Sequence, residues 1–136
     1  MMARGFFGEL PEVPVVEVSA GFQPLPARLL QSQVCNAWSE RVFQSHVVQL
    51  AQVLGWLVYH THDSRRSAPG FPDLVLVHVG QGRVLWRELK SARGRLSVPQ
   101  REWLDSLEAA GEDAGVWRPE DWVSGVVEAE LKGELL

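Results

Sequence analysis

The chain predicts an α/β (α+β) domain in which helices flank a mixed sheet, with the order α-β-β-β-α-β. Three observations predict it. The segment 39–54 repeats apolar residues at helical spacing and stops at glycine, and 97–111 reads as a second helix that again ends on glycine. Between them lie three short apolar runs, two of which form the hairpin Gly70–Lys90 through a glycine-flanked turn. A last short run, "AGVW" (114–117), follows the second helix and adds a fourth strand.

Each element has its own justification. Residues 1–30 hold Pro11, Pro14, Pro24 and Pro26 around a strand-like run, Val13–Val18, and read as an extended arm. In "SERVFQSHVVQLAQVL" (39–54), Phe43, Val47, Leu50 and Leu54 form one stripe, Ser39 can cap the start and Gly55 stops the helix. "WLVYHTH" (56–62) is a strand, and "DSRRSAPG" (63–70) is a loop of turn formers carrying two arginines. After the hairpin come a loop, "SARGR" (91–95), and the helix "SVPQREWLDSLEAAG". "RPEDW" breaks the last strand ahead of a C-terminal helix near 120–132. The organisation expected is an N-terminal arm over 1–38 that is also a candidate dimer element, a core over 39–122, and an acidic C-terminal segment over 123–136.

Composition bounds the function. With 136 residues, 46% of them hydrophobic and 22% charged, the chain makes one globular domain with a core of its own. The single cysteine, Cys35, rules out an intramolecular disulfide framework and a multi-cysteine zinc site. No signal-peptide pattern and no long apolar span is present, so a soluble, cytoplasmic protein is expected. The net charge of −4 is unevenly spread. Residues 60–104 carry eight basic and four acidic groups, whereas 105–136 carry two basic and nine acidic. A basic middle with an acidic tail suggests one surface facing a polyanion.

The hairpin is where chemistry concentrates. Asp73 begins its first strand, and Glu88 and Lys90 end its second, two apart and so on one face. An even-numbered turn sets Asp73 opposite Glu88 or Lys90; an odd-numbered one sends it to the other face unless a bulge restores it. Two adjacent carboxylates repel unless a cation lies between them, and oxygen ligands of this kind suit Mg²⁺, with Mn²⁺ as a substitute. A lysine beside them can orient water or offset charge building on a phosphate. The bland alternative is a turn aspartate and an exposed polar edge, but the strands around these residues are strongly apolar.

Asp73 with Pro72 before it, and Glu88-Leu89-Lys90, resemble the PD-(D/E)XK nuclease pattern. "GFPDLVLV", "ELKSARGRLSVPQ" and "GVWRPEDW" together are similar to the VRR-NUC (virus-type replication-repair nuclease) branch, over roughly residues 39–122. The resemblance implies a restriction-endonuclease-like core and Mg²⁺-dependent cutting of DNA, in small members of branched DNA such as four-way (Holliday) junctions, by a homodimer. It also implies that Asp73, Glu88 and the main-chain carbonyl of Leu89 hold the metal while Lys90 assists the attacking water.

Two further residues are weighed. Glu40 lies in the angular range of the core stripe of its helix and is the preferred helix acid at the site, although an acid in a first turn also suits the helix dipole. Gln44, one turn later, is its rival. Gln100 fits a capping box with Ser97, while the family places a glutamine near the site; one side chain is not expected to do both fully, and the site is preferred. Arg65, Arg66, Ser67, Arg93 and Arg95 flank the same end and are assigned to phosphate contacts. His60 and His62 share a strand face without a third ligand, which makes zinc a poor reading. The expectation is a structure-specific DNA endonuclease, with a flap, nicking or general DNA endonuclease, or a non-catalytic DNA-binding protein, as the alternatives.

Overall fold

The computed structural model of the chain describes residues 26–62 and 65–134. Nine elements are found among them: α1 (Ala27–Asn36), α2 (Glu40–Val53), β1 (Leu57–His60), β2 (Leu74–His78), β3 (Arg83–Leu89), α3 (Val98–Ala109), β4 (Asp113–Trp117), α4 (Pro119–Val123) and α5 (Val126–Lys132). The four strands lie in sequence order across one sheet. β1, β2 and β3 form an antiparallel meander, and β4 joins parallel to β3 after the α3 connection. The mixed sheet and the expected α-β-β-β-α-β order are both present.

Strand parity sorts the side chains. Leu74 and Leu76 of β2, with Leu85 and Leu89 of β3, point to one face, where they are fully or almost fully buried. Phe43, Val47 and Ala51 of α2 cover that face together with Val127 and Leu131 of α5. Trp56 locks the two helices to it, since its indole N–H donates to the Leu131 carbonyl at 2.9 Å. The capping of α2 is as expected: Ser39 Oγ accepts from the Val42 N–H at 3.2 Å.

The hairpin turn comprises Val79–Gly82, closed by the pair His78 and Arg83. Its four residues make the even-numbered case, so the register runs Val75 with Trp86 and Leu74 with Arg87. His78 organises the turn, because its Nδ1 accepts the Gln81 N–H at 3.0 Å while Nε2 lies 3.2 Å from the Leu54 carbonyl.

Two ends of the chain differ from the sequence reading. Residues 1–25, including Val13–Val18, lie outside the described residues, but 27–36 is a helix rather than an extended arm. Pro26 precedes its first turn, where a proline does no harm, and α1 packs against α4 with Cys35 buried. The C-terminal helix is two helices with Gly125 between them. α5 buries Val127, Ala129 and Leu131, so the acidic end of the chain supplies part of the core cover.

Candidate active site

Continuing the β2–β3 register by one position sets Asp73 opposite Glu88, just past the end of that ladder. Both then face the side of the sheet that carries Val75 and Trp86, and the start of α3 meets them there. The chain is fixed at this point by Asp73 itself, whose Oδ2 accepts the Leu89 N–H at 2.8 Å. Glu88 is 2% exposed, and Lys90, two residues on, is 6% exposed. Lys90 Nζ stands 3.4 Å from Glu88 Oε1 and 3.6 Å from Glu40 Oε1. Glu40, not Gln44, is therefore the α2 side chain brought to this cluster; Gln44 lies in a shallow groove with Val48 and His60.

Gln100 does both of the jobs that a single side chain was not expected to combine. Its Oε1 accepts the Ser97 N–H at 2.9 Å and its own main-chain N–H donates to Ser97 Oγ at 3.3 Å, which completes a capping box. Its Nε2 donates to Glu88 Oε1 at 2.9 Å. The amide has a donor end and an acceptor end, and each is used once. α3 is held against the hairpin by a close backbone approach: Gly70 has φ +83°, and a Cβ there would collide with the backbone of Pro99 and Gln100.

The electrostatics are unbalanced. The Glu88 carboxyl is pushed up to about 8, first by burial and then by the charge of Asp73 and a hydrogen bond to it, with Lys90 opposing them. Glu88 Oε2 is buried without a hydrogen-bond partner. Two carboxyls side by side, one with an orphaned oxygen, suit an oxygen-seeking divalent cation. No group of three or more His, Cys, Asp or Glu side chains able to hold a metal occurs among the described residues. Further ligands would therefore have to include main-chain oxygen, water or substrate. His60 and His62 have their rings 4.1 Å apart, but β1 ends at His60 and no third ligand among the described residues joins them.

The basic residues separate into two groups. Arg65, Arg66 and Ser67 lie on the loop before Asp73, and Arg93 and Arg95 on the turn after Lys90; all four arginines are exposed. Arg83 and Arg87 do not belong to that surface. Strand parity puts Arg87 on the core side with Leu85 and Leu89, where it is 4% exposed. It pairs there with Asp113 Oδ1 at 2.7 Å and Glu130 Oε2 at 3.3 Å, and it lies over the Trp117 ring. Arg83 donates to the Glu130 carbonyl at 2.7 Å, beside Trp56.

The family model of the VRR-NUC domain matches residues 22–120. The chain belongs to the VRR-NUC family. The match begins ahead of residue 39 and takes in α1. Among solved structures, a chain described as a VRR_NUC domain is similar at a TM-score of 0.50 and 21% identity, over 67% of this chain and 97% of that one. The likeness supports the fold, an α+β domain with a mixed four-stranded sheet between helices. No curated protein matches. Membership gives this VRR-NUC domain a nuclease-type function. No helix among its described residues is long and apolar enough to cross a membrane.

One residue escaped the sequence reading. Arg118, in the "RPEDW" segment, donates from Nη1 to the Ser91 carbonyl at 2.9 Å and to the Gly94 carbonyl at 2.6 Å. The usable signal was the arginine directly after β4. It becomes informative only once the parallel register sets Trp117 beside Leu89.

Proposed function

We propose that this VRR-NUC domain is a metal-dependent, structure-specific DNA endonuclease that cuts branched DNA such as four-way junctions. The observation that carries the metal dependence is Glu88: buried, beside Asp73, held against ionisation and with one oxygen unpartnered. Asp73, Glu88 and the Leu89 carbonyl would hold Mg²⁺ or Mn²⁺. When bound, such an ion supplies Lewis-acid activation of water and neutralises charge at the scissile phosphate.

The protein's own groups do the rest. Gln100 fixes the rotamer of Glu88 by donating to Oε1, which leaves Oε2 directed elsewhere. Lys90 is kept between Glu40 and Glu88, which places its ammonium close to where charge develops on the phosphate. Glu40 sets the far side of that lysine and, being half-exposed, can also accept a proton from water. Arg65, Arg66, Ser67, Arg93 and Arg95 flank the cluster and suit phosphate contacts that position the duplex without reading sequence.

Resolving a four-way junction takes two symmetry-related cuts, whereas this chain carries a single Asp73–Glu88–Lys90 set. A two-fold homodimer meets that requirement. α1, within the arm to which dimerisation was assigned, leaves Leu29, Leu30 and Val34 exposed. The test is a cleavage panel of four-way junction, flap, nicked and linear duplex DNA, with and without Mg²⁺, beside light scattering at the assay concentration. Paired nicks by a dimer on the junction support the proposal. Cutting confined to flaps or nicks by a monomer would replace it with single-nick activity, and DNA binding without cutting would make the domain a binding module.

A further inference from the structure

We propose that Arg118 is a positioning residue that clasps the turn after Lys90, setting the lysine on one side of the turn and the arginines on the other. This rests on the nuclease reading above.

The sheet brings Arg118 to the place. β3 and β4 run parallel with Leu89 opposite Trp117, and the Lys90 N–H donates to the Trp117 carbonyl at 3.1 Å. Arg118 therefore leaves its strand beside Lys90. Its main chain is anchored, since its N–H donates to Asp121 Oδ2 at 2.8 Å and Pro119 is buried at the start of α4.

From that anchor the guanidinium reaches back to the turn. The Ser91 and Gly94 carbonyls that it holds belong to the two ends of one turn, closed by the Gly94 N–H donating to Ser91 O at 3.2 Å. A single cationic donor thus binds both ends, and charge-assisted bonds of this kind are the strong ones. Arg93 is inside the turn and Arg95 follows it, both exposed.

The inner side of the turn presses on the cluster. A Cβ on Gly94 would stand 3.0 Å from Ser91 Oγ, 3.3 Å from Glu40 Oε1 and 3.3 Å from Lys90 Cδ. The turn is thus a wall of the slot in which Lys90 Nζ lies between Glu40 and Glu88. Releasing the clasp lets that wall move, which loosens the lysine and scatters the arginines together.

The test compares wild type, Arg118→Ala and Arg118→Lys in single-turnover cleavage of junction DNA, DNA binding, and limited trypsin digestion. Loss of the clasp should slow cleavage at saturating DNA by about tenfold to a hundredfold, the usual cost of a misplaced catalytic group. Affinity for DNA should fall too, and trypsin should cut faster after Arg93 and Arg95 while cutting elsewhere at the wild-type rate. Lysine, which keeps the charge on a side chain too short to bring its nitrogen to the place of Nη1, should restore only part of the rate. Millimolar methylguanidinium should restore activity to Arg118→Ala but not to Lys90→Ala. Wild-type cleavage by Arg118→Ala with an unchanged digest overturns the clasp. So does a slow variant that trypsin attacks throughout and methylguanidinium does not rescue. If the wild type cuts no DNA, the nuclease reading fails, while faster cutting confined to Arg93 and Arg95 still supports the clasp and an unchanged digest still overturns it.

Discussion

Glu88→Gln should stabilise the metal-free protein while ending cleavage. Burial, then Asp73, raise this carboxyl from 4.5 to about 8, so in the unfolded chain it ionises far more easily than in the fold. Between those values the folded protein retains a proton that the unfolded chain has lost. Stability therefore falls as pH rises through the window and levels off above about 8. Each tenfold change in proton affinity is worth about 1.4 kcal/mol, which puts the alkaline penalty at a ceiling on the order of 5 kcal/mol. Local relaxation should leave roughly 2–4 kcal/mol of it.

Glutamine has nearly the same shape, keeps an acceptor for Gln100 Nε2, and cannot ionise. Urea unfolding of both proteins in a chelator, from about pH 4 to 9, should give curves that nearly coincide at the acid end and diverge on the alkaline side, with the variant more stable. Mg²⁺ added at alkaline pH should narrow the gap by stabilising the wild type alone. Parallel curves across the whole range would show that the carboxyl is not held protonated by its surroundings, and the reasoning from the orphaned oxygen would fall with it.

Asp73→Asn and Lys90→Ala should each slow strand cleavage by about a hundredfold or more, in a gel assay under saturating enzyme, while Asp73→Asn binds DNA at least as well because one repulsive charge is gone. Arg65→Ala combined with Arg66→Ala should weaken DNA binding regardless of sequence and flatten its salt dependence, by roughly 0.9 in log–log slope for each phosphate left without its arginine; an unchanged slope in fluorescence anisotropy would place them off the interface. Arg87→Ala, by contrast, should cost about 1.5–3 kcal/mol of stability, because a buried side chain packed over Trp117 and its charge-assisted hydrogen bonds to Asp113 and Glu130 are lost, while the two acids left behind are exposed enough to be solvated. Denaturant melts would read that loss, and the folded variant should bind DNA with wild-type affinity.

The hairpin was legible because its side chains alternate with a period of two, so fixing the turn length fixes every pairing. An even-numbered turn brings Asp73 to Glu88, and the four-residue turn closed by His78 and Arg83 is even. The same parity could have removed Arg87 from the basic surface, since it shares its face with Leu85 and Leu89; counting charges along the chain hides this. Arg118 was out of reach, because its role depends on which residue of β3 the parallel strand adopts as its neighbour, and local sequence carries no mark of that. The end helices were obscured for a different reason. α1 sits behind a proline-rich stretch, and α5 is too short, at seven residues, for its spacing to stand out from an acidic background.

The double use of Gln100 has a consequence for which sequences this fold can accept. In an ordinary capping box, glutamate serves as well as glutamine at the third helical position, and the helix dipole favours it. Here the far end of the side chain must donate to Glu88, and Gln100→Glu would set a third carboxylate against two that already repel. An exchange that is neutral at most helix starts is thus closed at this one. Gln100→Met, which spares the charge, would leave the Ser97 N–H uncapped and take from Glu88 Oε1 the amide that orients it. The first turn of α3 is consequently a place where drift toward a better isolated helix and retention of the site pull in opposite directions.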